Sequence, residues 1–285
     1  MKKFFCYFAA VALALGSLTM SSCGKDDDEN NNSTTQSDPV PSGVNDLVGT
    51  WTLESESFST VYTFTATHVT IEELQSHKTE SDYTYANGVL TLTNPKSYYY
   101  NDNASEGADS WTVDPYDIGE TRSVNVTLLQ DKSVIVFRTH VPADGDMLAY
   151  DEIDFAYKVG KTIPFNPADL YGKWNWMMYG TDNIIRTTVT FIDKTFDLII
   201  TAWGQRYKGT FTYDNGYVIF HTEKYFEAAW EDRDEFHPEN ANWIEEPLEN
   251  AIYSNTLKMP FFVNGNEAYA NVANLPALFE KQVNR

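Results

Sequence analysis

The side chains best suited to holding a ligand are gathered in two stretches of the 285-residue chain, 93–120 and 222–250. The first contains Tyr98, Tyr99, Tyr100, Trp111 and Tyr116; the second contains Tyr225, Phe226, Trp230, Phe236 and Trp243. Carboxylates are interspersed, at Asp102, Glu106 and Asp109 in one and at Glu231, Asp232 and Asp234 in the other. Flat rings beside acids suit a sugar, because a ring can stack on it while a carboxylate accepts hydrogen bonds from its hydroxyls. Tyr98, Tyr99, Trp111, Tyr116, Trp230 and Trp243 are therefore the candidate ligand-binding residues. The alternative is that these rings fold down over a core and cap it, since large aromatics bury readily. Both stretches are expected to be loops. Loops of that length are usually functional or disordered, and an aromatic-rich sequence argues against disorder.

Catalytic chemistry is poorly represented. The five histidines, His68, His77, His140, His221 and His237, form no His-Glu-x-x-His pair, and the only cysteines, Cys6 and Cys23, lie at the amino-terminal end, so no mixed Cys/His zinc site is expected in the body of the chain. His221-Thr222-Glu223 matches half of a deaminase signature whose Pro-Cys-x-x-Cys half is missing. No nucleophile elbow or phosphate loop occurs. The run from Asp102 has Gly107 where a calcium loop turns, but Ala104 stands at a ligand position and Val113 where the closing glutamate belongs. With 41 acidic residues, chance carboxylate pairs are too many for a glycosidase pair to be picked out. The expectation is a non-enzymatic protein without cofactor or metal.

The elements that would position these residues repeat. Asp46-Leu47-Val48-Gly49-Thr50-Trp51 returns 123 residues later as Asp169-Leu170-Tyr171-Gly172-Lys173-Trp174, and Tyr83 to Leu90 returns 128 residues later as Phe211 to Val218. The chain therefore holds two copies of one domain, over 46–160 and 169–285, joined by a proline-stiffened linker at 161–168. Each copy reads as short strands rich in β-branched and aromatic residues, such as 61–65 and 187–191. Asn87-Gly88 and Asn215-Gly216 are hairpin signals, since both residue types tolerate the positive φ of a type I′ turn. About eight strands per copy predict an all-β fold of two tandem antiparallel barrels. The end of the chain, 277–282, reads as one helical turn or as a tail across a barrel mouth.

Gly49-Thr50-Trp51 and Gly172-Lys173-Trp174, each followed by an Asn-Gly meander, resemble the opening of lipocalin-like barrels of the kind found in Bacteroidota lipoproteins. That resemblance implies that Gly49 and Gly172 let the chain pass closely at the barrel base while Trp51 and Trp174 fill it. Plain core packing of the two indoles is the other reading, and filling the base is itself core packing.

The amino terminus reads as an export signal over 1–22: Lys2 and Lys3, an apolar run from Phe4 to Leu15, then small residues. The apolar run is shorter than the ~20 residues a membrane-spanning helix needs. Met20-Ser21-Ser22-Cys23 resembles a bacterial lipobox, which implies acylation of Cys23 with palmitate-type chains. The acidic run that follows, Asp26 to Glu29, resembles a surface-export signal, against the alternative of a solvated linker. Residues 23–45 then form a polar, flexible stalk. Removing Lys2 and Lys3 leaves 18 basic against 41 acidic side chains, a formal charge of −23, which excludes nucleic acid as a partner.

Three functions remain open. The first is a lipid-anchored outer-membrane protein facing the exterior that binds a small apolar or sugar-like ligand through its barrels and aromatic loops. The second is an interaction module with filled barrels that grips a partner protein or a glycan at the surface. The third is a glycan hydrolase without a recognisable motif.

Overall fold

The structure is a computed structural model that describes residues 43–55, 58–73, 76–100, 111–142, 149–178, 184–229, 241–252, 256–272 and 275–282. Cys23, Trp230 and the loop acids Asp102, Glu106, Asp109, Glu231, Asp232 and Asp234 lie outside these residues, as does the side chain of Tyr116.

The first copy opens with a single helical turn, α1 (Val44–Leu47), and continues as β1 (Gly49–Ser55), β2 (Phe58–Phe64), β3 (His68–Glu73), β4 (His77–Ala86), β5 (Val89–Tyr100), β6 (Trp111–Ile118), β7 (Arg122–Leu129), β8 (Val134–Val141) and β9 (Tyr150–Lys158). The second repeats it as α2 (Pro167–Leu170), β10 (Gly172–Met178), β11 (Ile184–Ile192), β12 (Thr195–Ile200), β13 (Gln205–Asp214), β14 (Tyr217–Ala228), β15 (Trp243–Glu246), β16 (Thr256–Asn264), β17 (Glu267–Val272) and β18 (Leu275–Lys281). The strand order β4-β3-β2-β1-β9-β8-β7-β5 is closed by pairing of β4 with β5, and the second sheet follows the same order. Each copy is thus an eight-stranded antiparallel barrel, with a ninth strand, β6 or β15, outside the closed ring.

The ninth strand corrects the expectation that 93–120 and 222–250 are loops. β5 runs on to Tyr100 and pairs there with β6, and β14 runs on to Ala228 and pairs with β15. Tyr98, Tyr99, Tyr100 and Trp111 are strand formers, and pairing extends into a hairpin flap. The carboxy-terminal segment is also corrected: it is neither helix nor tail but β18, which closes the barrel against β10. Its alternation decides this, because Ala277 and Phe279 point into the core.

One end of each barrel is filled by the recurring phrase. Trp51 and Trp174 have no exposed surface, and their indole N–H groups donate to the carbonyls of Leu47 and Leu170 at 2.8 and 2.7 Å. A lysine of the last strand lies over each ring, Lys158 at 4.8 Å and Lys281 at 5.1 Å from the ring centroid. Gly49 and Gly172 have φ of 129° and 124°, and a Cβ there would come within 3.3 and 3.1 Å of those lysine Cε atoms, so glycine serves both conformation and space. Interlocked rings fill the same half, including Tyr62, Phe64 and Phe137 in the first barrel and Phe191, Phe220, Phe261 and Phe279 in the second.

The two barrels pack within one compact unit. Phe262 and Tyr269 of the second are buried in the core cluster of the first. The Asn215-Gly216 turn, with φ of 44° and 92°, is received by the first barrel: Tyr157 Oη donates to Gly216 O at 2.6 Å, and Ile163 N donates to Asn215 Oδ1 at 2.8 Å. A Cβ on Gly216 would fall 2.7 Å from the Tyr157 ring. Gly216→Ala is expected to lower stability by more than ~1 kcal/mol, from left-handed strain plus the clash, and to part the unfolding of the two barrels. Calorimetry on the variant should show a lower midpoint and a broadened or divided transition.

Candidate functional site

A register slip separates two faces of each flap. Opposite β4, pairing jumps from Glu80–Lys96 to Asp82–Thr93, and opposite β13 it jumps from Lys208–Lys224 to Gly209–Thr222. A one-residue slip sends every later side chain to the other side of the sheet. Leu90 and Leu92 therefore face inward, and so do Ser97 and Tyr99, while Tyr98 and Tyr100 face outward. The bulge is tight: a Cβ at Gly209 would lie 2.0 Å from His221 O. At the matching position of the first copy, Ser81 occupies the bulge and donates to Asp82 O and Thr93 O at 2.8 and 3.0 Å.

Inside the barrels, the half away from the tryptophan carries polar side chains among apolar ones. Cross-strand partners place Leu53, Thr60, Glu73, His77 and Tyr99 in one row in the first barrel. The matching row of the second barrel is Trp176, Thr187, Ile200, Gln205 and Glu227. In the first barrel His77 meets Tyr99 edge to face at 5.1 Å. One level deeper, the Tyr62 hydroxyl donates to Asp154, whose carboxylate also accepts from Phe155 N at 2.8 Å. Burial pushes the Asp154 carboxyl up to about 6, against these two hydrogen bonds and with help from nearby Glu73. Burial also raises Glu73, opposed by the charge of His77. In the second barrel a chain of hydroxyls and one amide, ending on a single acid, takes the place of Asp154 and Glu73: Tyr207 Oη donates to Gln205 Oε1, Gln205 Nε2 donates to Tyr225 Oη, and Tyr225 Oη donates to Glu227. Thr187 has no exposed surface, and its hydroxyl has no partner among the described residues.

Outside the barrels, the flaps carry aromatic and charged side chains in matching positions. Lys78 lies over Tyr98 at 4.6 Å and over Trp111 at 5.3 Å, and pairs with Glu80 at 3.0 Å. Tyr98 Oη donates to Glu80 at 3.1 Å. In the second copy, Arg206 lies over Trp243 at 5.6 Å and forks onto Asp197 at 2.8 and 2.5 Å, while Lys208 lies over Phe226 at 5.8 Å.

Of the residues singled out from the sequence, Tyr98 and Trp111 come together on the outer face. Trp243 holds the equivalent place in the second copy. Tyr99 is parted from them, on the inner row, and Tyr116 belongs to β6. The acids of the inner row and the cations of the outer face were missed. The 128-residue repeat carried the signal for the cations, since it aligns Lys78 with Arg206 and Tyr98 with Phe226. No three His, Cys, Asp or Glu side chains converge as a metal site among the described residues. No family model, curated protein or solved structure matches the chain. The geometry in hand is that of two tandem antiparallel barrels, consistent with lipocalin-like domains.

The raised Asp154 fixes the sign of a pH effect. The unfolded chain releases this proton near pH 4 and the folded chain near pH 6, so the folded state binds the extra proton between those values. Its contribution to stability is fully present below about pH 4 and is lost as pH rises through about 6. The loss is at most ~3 kcal/mol, at about 1.4 kcal/mol per pKa unit, and solvent reaching the partly exposed carboxylate reduces it. Denaturation of Asp154→Asn across pH 4 to 7 should show a shallower fall than the parent protein; equal slopes would refute the assignment.

Proposed function

We propose that the protein is a lipid-anchored, non-enzymatic binder at the outer face of the outer membrane. Its ligand is a small, hydroxylated, sugar-like molecule held in the polar half of a lipocalin-like barrel. The observation that carries this reading is Thr187, a fully buried hydroxyl without a partner among the described residues, set between Trp176 and Ile200 in the row that continues to Gln205 and Glu227. A buried polar group left unpaired costs ~1–3 kcal/mol, and a ligand hydroxyl entering that row would satisfy it. An apolar ligand would leave it unpaired, so Thr187, with Gln205 and Glu227 in the same row, favours a sugar-like ligand over an apolar one. The lipobox-like Met20 to Cys23 and the acidic run after it support the anchor and the outward orientation. A second reading, an interaction module with filled barrels, is favoured by the interlocked rings of the tryptophan-filled halves.

Native mass spectrometry of the full chain with a mixture of neutral mono- and disaccharides and, separately, fatty acids tests the ligand class. Retention of a saccharide mass is expected, with its loss in Thr187→Val. Because that change removes a buried unpaired hydroxyl at nearly constant shape, the thermal midpoint should stay level or rise. Retention of fatty acid, or of nothing, would count for the alternatives. For the anchor, Cys23→Ala should abolish incorporation of a palmitate analogue and move the protein out of the membrane fraction.

A further inference from the structure

The two copies have diverged along the inner row farthest from the tryptophan. On the outer face of the flaps they retain three groups, while Glu80 gives way to Lys208 and Tyr100 to Ala228. Along the inner rows the pairs are Leu53/Trp176, Thr60/Thr187, Glu73/Ile200, His77/Gln205 and Tyr99/Glu227, and only the threonine is retained. On the outer face of the flaps the cation is retained as Lys78/Arg206, the ring as Tyr98/Phe226 and the indole as Trp111/Trp243. The indoles correspond by register as well as by type, since Trp111 pairs with Tyr100 and Trp243 with Ala228, and these partners are 128 residues apart. Folding alone does not account for the outer trio, because barrel cores are built from the inward side chains.

We propose that the outer faces of the two flaps are equivalent platforms for an uncharged polysaccharide chain. Charge complementarity selects the ligand. The cations over the rings are paired on their own platforms, Lys78 with Glu80, and Arg206 and Lys208 together with Asp197. Such groups offer both donors and acceptors to neighbouring hydroxyls, and the carboxylates offset most of the positive charge. The chain as a whole carries −21, which opposes sulfated or uronic chains. In the second barrel, a groove of about 310 Å³ adjoins the platform, lined in part by Thr195, Asp197, Lys208 and Lys224. That volume is of the scale of small-ligand sites. Two platforms on one compact unit suit a polymer with repeating rings, since the second contact is made at raised effective concentration.

Affinity electrophoresis of the full chain through gels containing dextran, laminarin or glucomannan tests this, with polygalacturonate as the charged comparison. Retardation by at least one uncharged polymer and none by polygalacturonate is expected. Trp111→Ala and Trp243→Ala should each weaken it by about tenfold, equivalent to ~1.4 kcal/mol, and the double variant should abolish it. Trp203→Ala, an exposed indole on the 3-10 turn of the second barrel, should change nothing. Lys78→Gln with Arg206→Gln keeps the rings and should also weaken retardation. A thermal midpoint taken for every variant separates loss of binding from loss of fold. Retardation that survives in a folded double variant, no retardation by any uncharged polymer, or preference for polygalacturonate would overturn the proposal. Thr187→Val should leave retardation intact, so failure of the interior site and failure of the platforms are read separately.

Discussion

Each barrel depends on one indole hydrogen bond. The N–H of Trp51 or Trp174 is the only hydrogen-bond donor of its side chain, and it goes to the last carbonyl of the helical turn that precedes the barrel. That bond lets a ring with a polar atom fill the barrel end without leaving the atom unpaired. It also ties the turn to the first strand. The last strand joins the same arrangement through its lysine, which covers the indole and donates to the carbonyl of Asp46 or Asp169. First strand, last strand and entry turn are thus held at one place. The other end of each barrel is left for polar side chains.

The register slips in β5 and β14 then divide the work of the flaps. Without the slip, Tyr98 would continue the inward face of Leu90 and Leu92, and Tyr99 would point out. With it, the inner row gains Tyr99 in one barrel and Glu227 in the other, while Trp111 and Trp243 come to lie over cations on the outside. Interior and exterior surfaces of the same strand can therefore change independently. The first barrel has an acidic interior around Asp154 and Glu73, and the second has a largely neutral one around Gln205, Tyr207 and Tyr225, on a common frame.

Much of that frame was legible in the sequence because its signals are local. The two Gly-x-Trp phrases, the Asn-Gly turns with positive φ at both residues and the β-branched runs each declare themselves within a few residues. The flap strands were hidden because Thr93, Asn94, Pro95 and Lys96 interrupt the apolar pattern at the point where β5 leaves the ring. β18 was hidden by Pro276, which reads as a breaker but sits near the start of the last strand. The inner row was out of reach for a different reason. Tyr62 and Asp154 are 92 residues apart, and which face Tyr99 takes depends on a slip that no local pattern encodes.

The slip also limits how such a chain can change over generations. Substitutions at either face alter one surface and spare the other. A single-codon deletion at Ser97, beyond the bulge, would instead turn the rest of the strand over, sending Tyr98 inward and Tyr99 to solvent. Two-residue changes would pass where one-residue changes fail. Descendants of the duplication are thus free to vary in residue type along the flap, but the parity of its length is inherited as a fixed trait.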